Sequence, residues 1–175
     1  MSDSPIHSIR VAKPADFDAV GALLAASYSS QLADYYDSDT LIRALPILTK
    51  PNSTLLASGT YYVAESEPNK LVGCGGWATK GPRSDVVIDG LAHIRHFAIH
   101  PVWVRHGVGA SLLTRCFSDA RLRGIRKLHC LSSLNAQAFY QTFGFDTVEP
   151  IDLPLEPGLT IRCVLMSREL AGTGA

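Results

Sequence analysis

The segment HPVWVRHGVGASLL, residues 100–113, concentrates the groups best suited to hold an anion: Arg105, His106, Gly107, Val108, Gly109 and Ala110, at the start of an apolar helical stripe. Glycines let a backbone turn tightly and approach a ligand closely, and a helix start leaves its first N–H groups free to face negative charge. A dinucleotide fingerprint beginning at Gly107 needs a third glycine at 112, where the chain has Leu112, and the Gly-Lys-Ser/Thr ending of a nucleoside-triphosphatase loop is missing. Both common nucleotide motifs are thereby excluded. What remains is a cradle for another phosphate, or a turn that leads into an ordinary helix. Between residues 105 and 127 six cationic side chains, Arg105, Arg115, Arg121, Arg123, Arg126 and Lys127, face one acid, Asp119, so the local field is positive.

Proton-transfer chemistry points to other residues. The stretch HIRHFAIHP carries His93 and His96, whose unperturbed pKa near 6.5 suits a base. Strand alternation puts His93, Arg95, Phe97 and Ile99 on one face and Ile94, His96 and Ala98 on the other. Tyr140, in AFYQTFGF, offers a phenol that can donate a proton within hydrogen-bond reach, or simply packs its ring on a sheet. Asn135 is either a ligand contact or a helix cap. Tyr28, Tyr35, Tyr36 and Trp77 can line an aromatic wall for a substrate or fill the seam between helices and sheet. Cys74, Cys116, Cys130 and Cys163 lie far apart in apolar surroundings and read as buried hydrophobes, not as a disulfide framework or a metal site.

These residues need elements to position them. Ile9 and Val11 make a short strand, Pro14 interrupts it, and Asp16 caps a helix bearing Phe17, Val20, Leu23 and Leu24. Leu32 to Tyr36 and Thr40 to Leu48 form a broken helical region with Ser38 and Asp39 as caps and Pro51 as a stop. Thr60 to Ala64 and Leu71 to Ala78 read as a hairpin, and a long strand spans Val86 to Ile99. The period then changes: Val108, Leu112, Cys116 and Ala120 make a helical stripe that ends near Gly124. Lys127 to Leu131 is a strand and Asn135 to Phe143 a short helix. Phe145 to Val148 and Ile161 to Met166 are strands joined by the segment 150–158. The sum is an α/β or α+β arrangement, helices covering a mixed sheet.

A chain of 175 residues suits one domain, and 16 Lys plus Arg against 16 Asp plus Glu leaves no global field to select nucleic acid. The polar, acidic start and the lack of any long apolar run predict a protein that neither enters nor crosses a membrane and resides in the cytoplasm.

The order HIRHFAIHP, VRHGVGASLL, KLHCL and LNAQAFYQTFGF resembles the GCN5-related N-acetyltransferase (GNAT) family. The similarity runs from IRVAKPADFDAV through TYYVAE and LVGCGGW to the last strands and is strongest between 93 and 145. It implies one acyl-CoA N-acyltransferase domain over 1–170 and a loose tail at 171–175. The implied sheet is mixed and mostly antiparallel, with splayed fourth and fifth strands under about four helices. It further implies that the backbone of Arg105, His106, Gly107, Val108, Gly109 and Ala110 cradles the pyrophosphate of acetyl-coenzyme A as co-substrate, without a metal. Phe97, Ala98 and Ile99 would pair with the pantetheine arm, an amide near Ala98 polarising the acetyl carbonyl. Asn135 would contact the donor, and Tyr140 would lie beside the thioester sulfur and protonate the leaving thiolate. His93 stands where some members carry a glutamate base, while others use a water chain. Val104 departs from the family's usual Gln or Arg at the loop's start. The implied reaction is direct attack by a primary amine, on a small molecule or a peptide, with Tyr28, Tyr35 and Trp77 as acceptor contacts. Homodimers are common among relatives. A longer acyl donor, or a noncatalytic acyl-CoA sensor, are the alternatives.

Overall fold

The structure, a computed structural model, describes residues 6–171. Seven strands form one sheet in the order β1-β2-β3-β4-β5-β7-β6. They are β1 Ser8–Val11, β2 Tyr61–Glu67, β3 Lys70–Ala78, β4 Leu91–Ile99, β5 Lys127–Ser133, β6 Asp146–Glu156 and β7 Leu159–Glu169. Every neighbouring pair is antiparallel except β4 and β5. The helices are α1 Phe17–Gln31, α2 Ser38–Leu48, α3 Ser53–Leu56, α4 Val108–Leu122 and α5 Gln137–Thr142.

Both faces of the sheet are buried. Leu112, Leu113, Cys116, Phe117 and Ala120 of α4 pack with Trp77, Ala92, Ile94, Leu128 and Met166. On the other face Val20, Leu23 and Leu24 of α1 meet Tyr61, Val63, Cys74 and Ala98. A fully buried leucine such as Leu24 or Leu112 contributes roughly 1.5–3 kcal/mol over an exposed one. The close seat of α4 depends on Gly73, where an added Cβ would stand 2.6 Å from Val108 and 3.1 Å from Leu112.

Several local expectations change. Asp16 closes a 3₁₀ turn, Pro14–Asp16, and occupies the N-cap position of α1 as expected, but its side chain makes no cap hydrogen bond there. Its carboxylate instead holds Arg10 at 2.8 Å and the Lys13 amide at 2.8 Å. The cap of α2 is Asp37, which accepts from the Thr40 amide at 2.9 Å, not Ser38 or Asp39. The long strand starts at Leu91; Val86, Val87 and Ile88 are exposed in the preceding loop because no neighbouring strand reaches them. Conversely, most of 150–158 is strand, since β6 and β7 pair, with register shifts at Thr147/Glu149 and Pro154/Glu156, up to a turn at Pro157 and Gly158. Ala171 is exposed, and the rest of the expected tail lies outside the described residues.

The largest correction concerns β4. His96 has φ +55, and the ladder to β3 slips between Cys74 and Gly76, so a bulge sits in the strand. A bulge inserts a residue and reverses the alternation beyond it. Ala92 and Ile94 face α4 before the bulge, and Phe97 and Ile99 face α4 after it. His93 and Arg95 therefore do not share the face of Phe97 and Ile99.

Candidate active site

β4 and β5 pair only over Leu91–His93 and Lys127–His129. Beyond that fork they part, and a cleft of about 540 Å³ opens between Ile94 to Ile99 and Cys130 to Ser133. Residues from both sheet faces line it: Phe139 and Tyr140 from α5 on one side, Tyr28, Gln31 and Leu48 from α1 and α2 on the other. The cleft thus passes through the sheet.

Its mouth is the start of α4. Gly107 has φ +81 and ψ 2, the left-handed conformation that glycine adopts without a Cβ penalty. The Ser111 amide makes the first bond back into the loop, to the Gly107 carbonyl at 3.0 Å. The N–H groups of Val108, Gly109 and Ala110, in the turn before it, have no intrahelical acceptor. Gly109 and Ala110 line the cleft, and Arg105, itself at φ +66, adds a cation at the rim. This donor set fits a pyrophosphate. His106 does not join it: its amide donates to the Trp103 carbonyl at 3.3 Å, and its ring packs on Trp103. Val108 offers only backbone, because its side chain is buried in the core.

The parted strand presents a second donor set. The His100 amide bonds Val72 of β3, and Ala98 stands opposite Cys74. Antiparallel alternation then turns the amides of Ala98 and His100 toward β3 and those of Phe97 and Ile99 into the cleft. The carbonyls on that side are already taken: Tyr28 Oη donates to Phe97 O at 3.0 Å, and Gln31 Nε2 to Ile99 O at 3.1 Å. Residues of α1 thus occupy the acceptors and leave N–H groups for a ligand. The amides near Ala98 that face the gap are those of Phe97 and Ile99; Ala98 lines the cleft, but its own N–H belongs to the β3 ladder.

Tyr140 is buried among Phe97, Phe139 and Phe145, with the Cys130 thiol as a neighbour. Burial pushes the Tyr140 hydroxyl well above the ordinary tyrosine range, the neighbouring Cys130 adding to the effect, so it keeps its proton. Burial likewise drives the Cys130 thiol up to about 12. Asn135 lines the cleft and accepts from Ser133 Oγ at 2.7 Å; the cap of the preceding turn is Ser133.

Three expected residues fall outside. His93 lines a separate pocket of about 210 Å³ with His129, Arg83 and Leu165. Burial first, then His129, Arg95 and Arg83, push its pKa down to about 4. Trp77 is 3% exposed in the core, with Nε1 donating to Tyr62 Oη at 3.3 Å. Tyr35 is 52% exposed and does not line the cleft. Tyr28 does line it, although its hydroxyl is committed to Phe97. His96, which the sequence offers only as one of two strand histidines, reaches the cleft through the bulge. Gln31 carries no signal in the sequence beyond its place on a helix.

Among the described residues no Asp or Glu lines the cleft, no group of three His, Cys, Asp or Glu is placed to hold a metal ion, and no helix is long and apolar enough to cross a membrane.

A sheet parted at a parallel rung, with a glycine-started helix at the mouth of the gap, defines the acetyltransferase class of α/β folds. The family described as acetyltransferase (GNAT) domain matches residues 57–147, and the chain belongs to that family. Solved structures agree on the fold over nearly its whole length. A GCN5-related N-acetyltransferase from Rhodopseudomonas palustris, also described as an aminotransferase, class II, is 22% identical. It superposes with a TM-score of 0.73 over 93% of this chain and 95% of its own. A PaiA N-acetyltransferase from Thermoplasma acidophilum, solved in complex with coenzyme A, is 14% identical with a TM-score of 0.68 over 94% and 99%. A GNAT-family acetyltransferase from Staphylococcus aureus is 18% identical with a TM-score of 0.68 over 95% and 100%. No curated protein matches the sequence.

Proposed function

We propose that the protein transfers an acetyl group from acetyl-coenzyme A to a primary amine. The observation that carries this is the parting of β4 from β5 directly beside the unpaired amides at the start of α4. Val108, Gly109 and Ala110 would hold the pyrophosphate, with Arg105 screening its charge. Phe97 and Ile99 would bond the pantetheine arm as a neighbouring strand does. When bound, the donor supplies an activated acetyl thioester. Tyr140, uncharged and deep in the cleft, donates its proton to the departing sulfur.

The lining of the cleft supports a class of acceptor. Leu48, Leu153 and Ile161 line it, and no carboxylate does among the described residues. A second ammonium on the acceptor would be desolvated there without a counter-ion, an unfavourable arrangement. The acceptor is therefore an amine carried on an uncharged, largely apolar body. The same apolar wall supports a second reading, a longer acyl chain on the donor.

The test is a screen of amines that follows coenzyme A release, run with acetyl and longer acyl donors, alongside calorimetric donor binding. Amine-dependent thiol release supports the enzyme. Donor binding with no turnover across the panel replaces it with a noncatalytic acyl-CoA binding module.

A further inference from the structure

His96 lies in the least favourable backbone conformation of β4. A non-glycine residue at φ +55 is strained, and such strain persists where the surroundings over-determine it. They do so here. The His96 carbonyl leaves the β-ladder and accepts from Tyr61 Oη of β2 at 2.8 Å, with the Cys74 thiol of β3 at 3.8 Å. The ring is fixed as well, with Nε2 2.8 Å from the Leu48 carbonyl at the end of α2. A carbonyl only accepts, so Nε2 carries the hydrogen, and the neutral ring presents a lone pair at Nδ1.

That lone pair is open. Among the described residues Nδ1 has no hydrogen-bond partner, and the buried side-chain atoms left without one are His7 Nδ1 and Ser66 Oγ. His96 Nδ1 therefore keeps contact with open space, and the ring lines the cleft. Phe97 follows His96 in the chain and packs its ring on Tyr140, 6.4 Å between centroids, from the opposite face of the sheet. The two proton-handling groups thus approach the gap from its two sides.

We propose that His96 is the proton acceptor of the reaction, taking the proton of the incoming ammonium at Nδ1 while Nε2–H stays on Leu48. This rests on the amine-acetylating reading given above. The balance closes on this chain's groups. His96 Nδ1 takes one proton from the ammonium. The freed nitrogen bonds to the thioester carbonyl carbon, and the carbon–sulfur bond breaks. The sulfur leaves with the Tyr140 hydroxyl proton, and the Tyr140 phenolate recovers a proton from the new amide nitrogen. The His96 imidazolium returns its proton to water.

The groups around the ring keep it ready. Burial lowers its pKa, the Leu48 carbonyl opposes that, and Arg95 adds to the lowering. Tyr28 of α1 faces it with ring centroids 6.3 Å apart, and Tyr61 and Cys74 complete the shell; none carries negative charge at neutral pH. The ring is thus uncharged at pH 7 and able to accept.

The test separates this role from bulge anchoring. In His96→Gln the amide keeps a donor for Leu48 and lacks an acceptor at the Nδ1 position. With benzylamine as probe, kcat should fall about a hundredfold or more while coenzyme A affinity by calorimetry stays within about twofold. The acid limb of the pH–rate profile should disappear. If His96→Gln does not fold, His96→Asn replaces it, because asparagine tolerates the left-handed backbone; its Oδ1 can accept a hydrogen bond but not hold the proton, so kcat falls and KM does not. A second readout needs no turnover. In the wild-type coenzyme A complex, the ¹⁵N resonances of His96 should show Nε2 protonated and Nδ1 bare, and benzylamine should move the Nδ1 signal toward its hydrogen-bonded value. Unchanged kcat in the variant, or an unmoved Nδ1 signal, overturns the proposal. Absence of coenzyme A binding instead overturns the donor reading beneath it.

Discussion

Gly107 and Gly124 stand at opposite ends of α4, at φ +81 and φ +79, and a Cβ built on either meets nothing within 4 Å. Alanine at either position therefore changes only the backbone preference. Holding an L-residue in the left-handed region costs roughly 1–2 kcal/mol, so both variants should lose about that much stability. For a domain of this size the melting temperature should fall by roughly 2–8 °C in each. Only Gly107 lies at the mouth of the cleft. Where Gly107→Ala relaxes toward a right-handed turn, the cost moves from folding to binding, because the cradle must be restored there, and about 1–2 kcal/mol appears as a roughly five- to thirtyfold rise in the coenzyme A dissociation constant in place of the melting loss. Gly124→Ala should bind as the wild type does. Differential scanning calorimetry and isothermal titration measure the two quantities on the same samples. Unchanged coenzyme A affinity in a Gly107→Ala that melts above Gly124→Ala, the sign of a relaxed turn, would refute the assignment of the α4 start as the phosphate cradle. Unchanged melting together with unchanged affinity in Gly107→Ala would refute the conformational argument itself.

Tyr140→Phe should lower turnover by a hundredfold or more and leave donor affinity nearly unchanged; stopped-flow thiol detection with an amine found by the screen checks it, and a loss confined to affinity would make Tyr140 a packing residue. His93, held at about 4 in the folded chain against 6.5 in the unfolded one, binds fewer protons folded than unfolded between those values. Its contribution is complete above pH 6.5 and lost as pH falls toward 4, so the urea midpoint of the wild type should fall across that window more steeply than that of His93→Gln. Gly75→Ala would put a Cβ within 2.3 Å of the Phe97 ring and should destabilise by about 1–3 kcal/mol in chemical denaturation; a neutral result would mean that Phe97 has room to turn.

The legible parts of this chain are those written in local pattern. The stripe Val108, Leu112, Cys116 and Ala120 specifies α4, and all four residues are buried against the sheet. Gly107 before the stripe marks its start, since only a residue free of Cβ strain enters the helix this way. Tyr140 lines the cleft because the short period of AFYQTFGF faces the sheet. Trp77 misled because an aromatic residue in a strand reads the same whether it lines a cleft or fills a core; Tyr62, paired to it from the neighbouring strand, decides. Val86 to Ile88 misled likewise, because β-branched residues carry strand propensity wherever they stand and pairing is supplied from elsewhere.

By itself the sequence determined most of the succession of strands and helices, α3 excepted, and the glycine-started helix, because each follows from the period of neighbouring side chains and from what a glycine permits. The tertiary structure alone decided where β4 leaves β5, which amides face the gap, and which histidine reaches it. The bulge at His96 has no glycine to announce it. It is held by Tyr61, Cys74 and Leu48, residues 22 to 48 positions away in the chain. A one-residue slip reverses every side chain beyond it, so these distant contacts turned His93 away from Phe97 and brought His96 to the cleft.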